Sequence, residues 1–336
     1  MADGGEGTVD AFCEAGWSRV TRRVRGPLGE PVEAAFAFRA DAPGGPAAVV
    51  ESAAASGLAL LPPERRDASR ATSFGTGELV RSALDAGARR IVVALGGSAT
   101  TDGGAGLLRA LGARLMRSDG TPLDDGGAAL AELARIDLAG LDARLRDARI
   151  DAAADVDNPL LGARGAAAVF GPQKGASAAD VRRLEAALAI FARATAAALG
   201  REAHDEPGTG AAGGLGFALH AYLGAEIRPG VALVAELRGL PAALRGAACC
   251  FTGEGAIDEQ TLGGKTVAGV ARLASAAGAR TIAFGGRVGA AAERALAARG
   301  VVAVPIADGP AALESALANA SALLERAAER VANLIA

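Results

Sequence analysis

AACCF (247–251), RTIAF (280–284) and VVAVPI (301–306) are three short apolar runs, separated and followed by Ala-rich helical patterns over 265–277, 289–298 and 311–334. Strands alternating with helices at this spacing imply parallel βαβ units, with helices on both faces of one sheet. Working back from that block, the centre of the chain is also α/β but less regular. A Gly-bounded helix (77–86) leads into the strand RRIVVAL (89–95), a Gly-rich turn follows, and a second helix runs from Gly103 to Leu111. ARIDAAADV (148–156) is another strand candidate that runs into DNPLLG, and a long Ala-rich helix covers 178–199. PVEAAFAF (31–38) alternates as a half-exposed strand does. No internal repeat and no Pro- or Ser-rich linker interrupts the chain. The expected fold class is α/β: a Rossmann-like parallel-sheet domain (1–20 and 246–336) with an inserted mixed α/β domain (21–245).

Composition narrows the function. At 336 residues the chain has room for two domains of roughly 150 residues each, and for a core without disulfide or metal staples. With 51% apolar and 22% charged residues it is an ordinary globular sequence, but aromatics are only 3%, so Ala, Leu, Val and Ile must build the core. A net charge of −3 lacks the basic footprint of a nucleic-acid binder. Cys13, Cys249 and Cys250 offer neither a disulfide framework nor a CxxC site, which fits a reducing cytoplasm, and two histidines make a His-rich metal site a poor reading. The uncharged stretch 207–225 holds six Gly, a Pro and a His, and reads as a buried loop and helix rather than a membrane span. Oligomeric state leaves no mark.

The chemistry gathers in Gly-rich loops. LGGSATTDGGAG (95–106) follows a strand and opens a helix. Its glycines (Gly96 and Gly97 first) let a ligand approach the backbone, the helix start supplies unpaired N–H groups, and Ser98, Thr100 and Thr101 add hydroxyls beside Asp102. That suits a phosphate or carboxylate; an ordinary capped βα turn is the plain alternative. FTGEGAIDEQTLGGKT (251–266) also follows an apolar strand. Asp258 stands where a dinucleotide fingerprint wants Gly or Ala, and Glu259 stands where a P-loop needs its first Gly, so neither motif is complete. What remains is a strand-end loop with Gly253, Gly255, Glu254, Asp258 and Lys265, suited to Mg²⁺ and phosphate together or, more plainly, a solvated ion cluster. In DVDNPLLGARGAAAVFGPQKG (155–175), Asp155, Asp157 and Asn158 sit at a strand's C-terminal end, the rim where open α/β sheets bind ligands. Lys174 and Lys265 are the chain's only lysines against 33 arginines, and both lie in Gly-rich loops. EPGTGAAGGLG (206–216) contains a literal GxGxxG but follows no apolar strand and reads as a helix entrance. ADGGEGT (2–8) adds Asp3 and Glu6. No GxSxG elbow appears. Anion-receptive loops, acids and two isolated lysines point to phosphoryl transfer, in which the protein positions donor and acceptor and offsets charge.

ADGGEGT, ESAAASGLALLP (51–62), TSFGTGELV (72–80), ALGGSATTDGGAG (94–106), DVDNPLLG (155–162), FGPQKGA (170–176), GAAGGLG (210–216) and TGEGAIDEQTLGGKT (252–266) occur in this order over essentially the whole chain. Together they resemble the bacterial glycerate kinases of the D-glycerate 2-kinase type. The resemblance implies a two-domain α/β kinase with ATP as donor, a divalent metal (Mg²⁺), D-glycerate as acceptor, 2-phosphoglycerate as product, and a cleft active site. It also implies relatives that begin about 40 residues earlier, with a strand, an Asp-Ser-Phe/Tyr-Lys loop and a helix; a sheet without that strand is expected to show an unpaired edge. On this reading Asp157, with Asp155 beside it, is the base or a metal ligand, Lys174 and Lys265 neutralise phosphate, and Glu254 and Asp258 lie near the metal. The 96–104 loop, with Asn158, Gly253 and Gly255, binds substrate or phosphate. The alternative is a truncated, non-catalytic relative that binds a nucleotide or small sugar acid. A Rossmann oxidoreductase is the weakest reading, since no proper fingerprint follows a strand.

Overall fold

The computed structural model describes residues 5–259, 261–263, 266–307, 309 and 313–335. The chain divides into two compact units, and the division falls inside one helix, between Leu233 and Val234. In chain order the first unit contains α1 (Thr8–Glu14), β1 (Ser18–Arg25), β2 (Pro31–Arg39), β3 (Ala47–Glu51), α2 (Ser52–Ser56), α3 (Phe74–Asp85), β4 (Arg90–Ala94), α4 (Ala105–Ala110), β5 (Arg114–Met116), β6 (Arg135–Asp137), β7 (Arg149–Ala153), α5 (Ala166–Phe170), α6 (Ala178–Leu199), α7 (Ala211–Leu223) and β8 (Glu226–Arg228); α8 (Gly230–Leu237) carries the chain onward. The second unit holds α9 (Leu240–Ala243), β9 (Cys249–Ile257), α10 (Thr266–Ala276), β10 (Arg280–Val288), α11 (Ala290–Ala297), β11 (Val301–Pro305), α12 (Leu313–Ala318) and α13 (Ala320–Ile335).

The main sheet of the first unit has strand order β1-β2-β3-β4-β7-β8. β1, β2 and β3 pair antiparallel, whereas β3, β4, β7 and β8 run parallel. Every residue of β3 is buried, and so are all but the first of β4 and of β7. Such strands are covered on both faces, so they read as apolar runs without alternation. There are two polar exceptions, Glu51 at the end of β3 and Asp151, which lies at 0% exposure in β7, where Arg90 (3.3 Å) and Arg149 (3.1 Å) compensate its charge. α6 starts from Ser177, whose hydroxyl accepts from the Asp180 N–H while the Asp180 carboxylate accepts from the Ser177 N–H. Its apolar face, Leu184, Leu188 and Phe191, joins Leu107, Leu108 and Phe217 in the core; cutting one such leucine to Ala costs about 2–5 kcal/mol.

The second unit has a parallel sheet in the order β11-β10-β9, as its alternating pattern implies. α10 and α11 bury Val267, Ala271, Ala292 and Leu296 with Ile257 and Ala283. α13 packs Ala327, Ala328 and Val331 against Ile282, Phe284, Val304 and Ile306.

Two expectations need correction. Residues 8–14 pack against β2 and β3, not with the C-terminal sheet: the Val9 N–H donates to Glu51 Oε1 (2.5 Å) at the end of β3. The units are consecutive, with the boundary at 233/234, rather than an insertion over 21–245. The segment 251–257 is also not a strand-end loop. β9 continues through it because β10 pairs with it as far as Ile257–Val288. Among the described residues no helix is long and apolar enough to cross a membrane, and 211–223 is a largely buried helix.

Candidate active site

The parallel strands of the first unit end side by side, and the loops leaving β4 and β7 border a cavity of about 420 Å³. This rim is where open α/β sheets take ligands, because helix starts and free backbone amides collect there. Gly96, Gly97 and Ser98 supply one wall, Ala154 and Asp155 another, and Gln173, Lys174, Ala211 and Ala212 close it.

The 95–106 loop is held from both sides. Leu58 N–H donates to Gly97 O (2.8 Å) and Ala99 N–H to Ser56 O (2.8 Å), pinning the turn to the segment after α2. Asp102 is wholly buried. Its carboxylate accepts from Ser73 N–H (2.8 Å), Ser73 Oγ–H (2.8 Å), Gly104 N–H (3.1 Å) and Gly106 N–H (3.2 Å). Burial raises its pKa above the usual carboxylate range, and these four bonds offset only part of that rise. Asp102 is thus spent on shaping the loop and capping α4, rather than facing the cavity. Thr101 is also fully buried, its hydroxyl without a partner among the described residues.

α7 enters the site through an unusual turn. Ala212 (φ 53°), Gly213 (φ 68°) and Gly214 (φ 91°) are three successive left-handed residues. Glycine takes this conformation freely, but at Ala212 it costs about 1–2 kcal/mol. The 100–103 loop holds the turn in place: Thr100 Oγ–H donates to Ala212 O (3.2 Å) and Gly103 N–H to Gly213 O (3.0 Å).

Lys174 comes from a single 3₁₀ turn, Pro172–Lys174, ended by the left-handed Gly175. Its ammonium is buried and donates to Ser98 Oγ (3.0 Å) and Thr100 O (2.6 Å). Those two acceptors engage two of its three N–H donors, and the residue lines the cavity. Burial pushes its pKa down to about 7, opposed by the charge of Asp102. An anion in the cavity would complete the ammonium's hydrogen bonds and restore its charge.

The acids beside it separate. Asp155 lines the cavity, and its Oδ1 accepts from Gly230 N–H (3.0 Å) at the start of α8. Asp157 does not line it; it makes an exposed ion pair with Arg164 (2.7 Å). Asn158 donates to Arg164 O (2.7 Å) and braces the same loop. Gln173, Ala211 and Ala212 are further cavity residues; each lies inside a quoted run, FGPQKGA or GAAGGLG, but no side-chain chemistry in those runs marks them out.

In the second unit Gly253 and Gly255 lie within β9. Thr261 ties down the turn after it, donating its hydroxyl to Glu254 Oε1 and accepting from Asp258 N–H (3.0 Å). Lys265 lies outside the described residues. No group of three His, Cys, Asp or Glu is placed to hold a metal among the described residues. Mg²⁺ usually takes only one or two carboxylates, with substrate phosphates and water completing its shell. Glu254, one carboxylate oxygen engaged by Thr261, fits that kind of ligand.

The model of the glycerate kinase family matches residues 1–336. This chain belongs to the glycerate kinase family. It is 45% identical to a glycerate kinase of Bacillus subtilis (strain 168) over 334 residues, covering 99% of this chain and 86% of that one. It is 47% identical to the glycerate 2-kinase of Escherichia coli (strain K12) over 275 residues, 82% and 71% of the two chains. A solved structure from Salmonella typhimurium LT2, provisionally named glycerate kinase 2, matches with a TM-score of 0.84 and 42% identity, over 100% of this chain and 89% of that one. The family is one of kinases, and the mixed α/β architecture agrees with that neighbour.

Proposed function

We propose that this chain transfers the γ-phosphoryl group of ATP to a hydroxyl of D-glycerate, giving 2-phosphoglycerate. The observation that carries the reading is Lys174, a buried ammonium with a hydrogen-bond donor to spare at the wall of a cavity sized for a small acid. The preference for the 2-position follows the name of the Escherichia coli relative.

In this reading the acid's carboxylate settles against Lys174, the Ser98 hydroxyl and the backbone of Gly96 and Gly97, which orient the substrate. Asp155, which also lines the cavity, accepts the proton of the attacking hydroxyl. Asp157, paired with Arg164 on the surface, is left without a part in the transfer. In the second unit Glu254 would hold Mg²⁺, with Asp258 close by in sequence. When bound, Mg²⁺ neutralises phosphate oxygens and so lowers the barrier to transfer.

The test is ADP release with D-glycerate and MgATP, with the product's phosphate position read by NMR. Asp155→Asn is expected to lower kcat about 100-fold with the fold retained, the usual loss of a general base. Wild-type turnover in that variant would remove Asp155, and no glycerate-dependent ADP release in the parent would remove the activity.

A further inference from the structure

The segment 51–58, at and beyond the end of β3, fastens two parts of the first unit's cavity at once. Its backbone fixes the 97–99 stretch, with Ala99 N–H donating to Ser56 O and Leu58 N–H to Gly97 O (2.8 Å each). At its head stands Glu51, 9% exposed, whose carboxylate accepts from Val9 N–H (2.5 Å) and from Gly7 N–H. No ion pair among the described residues includes it; Arg19, near enough to feel its charge, is engaged by Asp10. Burial pushes its pKa up, the Val9 and Gly7 amides hold it back, and the charges of Asp10 and Glu6 add to the rise. A buried carboxylate without a counter-charge is a costly way to fasten a helix of seven residues.

What the fastening delivers lies at the cavity. Thr8, 1% exposed, donates its hydroxyl to Gly5 O (2.7 Å), which carries the hold on Gly7 and Val9 back to Gly5. Gly5 lines the cavity, as Gly96 and Gly97 do, whereas Glu51 itself does not. Glu6 lies over Gly97: a Cβ built there would stand 2.3 Å from Glu6 Oε1 and 3.1 Å from Glu6 Cγ and Cδ. Gly97 is left-handed (φ 72°). With no side chain to restrict it, its placing depends on what packs against it.

We infer that Glu51 is a positioning residue for the acceptor acid: it fixes the 5–9 turn, the turn seats Glu6 on Gly97, and the backbone that receives the acid's carboxylate is set in consequence. This inference rests on the acid-binding reading of the 96–98 loop given above. Glu51 acts from outside the cavity, through Glu6, and touches no reacting atom.

Steady-state kinetics with D-glycerate and amide hydrogen exchange test it together. Glu51→Ala is expected to raise the KM for glycerate about tenfold with kcat within about threefold, and Glu51→Gln, which keeps the shape and one acceptor oxygen, to raise it about threefold. A residue that serves stability alone would lower the folded fraction, and with it the maximal rate, but leave KM in place; that result overturns the inference. Adding Glu6→Ala to Glu51→Ala should leave KM where Glu51→Ala puts it, whereas single effects that multiply overturn the series Glu51–Glu6–Gly97. The N–H groups of Leu58 and Ala99 should exchange about tenfold faster in Glu51→Ala. Protection lost only at residues 7–9 overturns the inference as well. Should Glu51→Ala not fold, Glu51→Gln carries the same readouts. In a chain that phosphorylates no glycerate the exchange result still decides: faster exchange at Leu58 and Ala99 upholds the hold on the loop, and only the activity is lost.

Discussion

Residues 95–106 and 251–257 are both Gly-rich and both follow apolar strands, yet they fold into opposite things. The first leaves β4, turns through left-handed Gly97, Gly103 and Gly104, and wraps a fully buried carboxylate before entering α4. The second never leaves its strand: β9 runs through it, and its glycines lie flat against β10. Glycine therefore serves two separate purposes in this chain. In one place it allows a turn, and in the other it lets a neighbouring strand come close: a Cβ at Gly253 would stand 2.6 Å from the Phe284 carbonyl oxygen of β10. The neighbours that decide between them, Asp102 with Ser73 in one case and β10 in the other, are remote in sequence.

If the 95–106 loop is the anion-binding element, its lysine partner should dominate activity. Lys174→Met is expected to lower kcat/KM for glycerate by about 10³-fold, the scale of removing a preorganised charged donor, with the fold intact. A loss confined to thermal stability would reduce Lys174 to a packing residue.

The same contrast appears as stability. Asp102→Ala leaves four donors unanswered, two from the loop and two from Ser73, and is expected to cost about 3 kcal/mol in urea unfolding, whereas Glu254→Gln in the other segment should leave the midpoint in place. Equal midpoints for both would erase the distinction between a buried loop and a bare strand.

pH sharpens it further. The folded Lys174 loses its proton near pH 7, whereas the unfolded side chain holds it to about 10.5. Between these values the unfolded chain binds more protons, so this group makes unfolding harder as pH rises. The protonated ammonium is the form that grips an anion, so the KM for glycerate should rise above pH 7 as stability improves. Lys174→Met should lose both slopes, which parallel melts and pH–rate profiles would reveal.

The smallest effect belongs to the acid that sequence alone ranked first. Asp157→Asn, at an exposed pair with Arg164, should change kcat by no more than about twofold.

Much of the architecture was legible where periodicity is strong: the C-terminal strand–helix alternation, the helix at 178–199, and the strands around 90–94 and 149–153 all stand where the pattern puts them. β3 was not, because AAVVE is short, half alanine, and buried on both faces, so it shows no alternation. The domain boundary was also hidden, since it falls within α8 and not in a linker. Lys174 could be picked out as a rare lysine in a glycine turn. Choosing among Asp102, Asp155 and Asp157 could not be done from the sequence, because burial, cavity wall and open surface separate them only after long-range packing.

The left-handed turn at Ala212–Gly214 also bears on when the cavity comes into being. Gly103 and Gly213 are more than a hundred positions apart in the chain, and their bond is what keeps Ala212 in a conformation it would otherwise abandon. Bringing such distant partners together is slow, because the loop-closure entropy must be spent before the contact repays it. A nascent chain still short of α7 therefore has strands and helices but no mouth for its ligand, and competence for binding should arrive late in the folding of the first unit, only after α7 has been made.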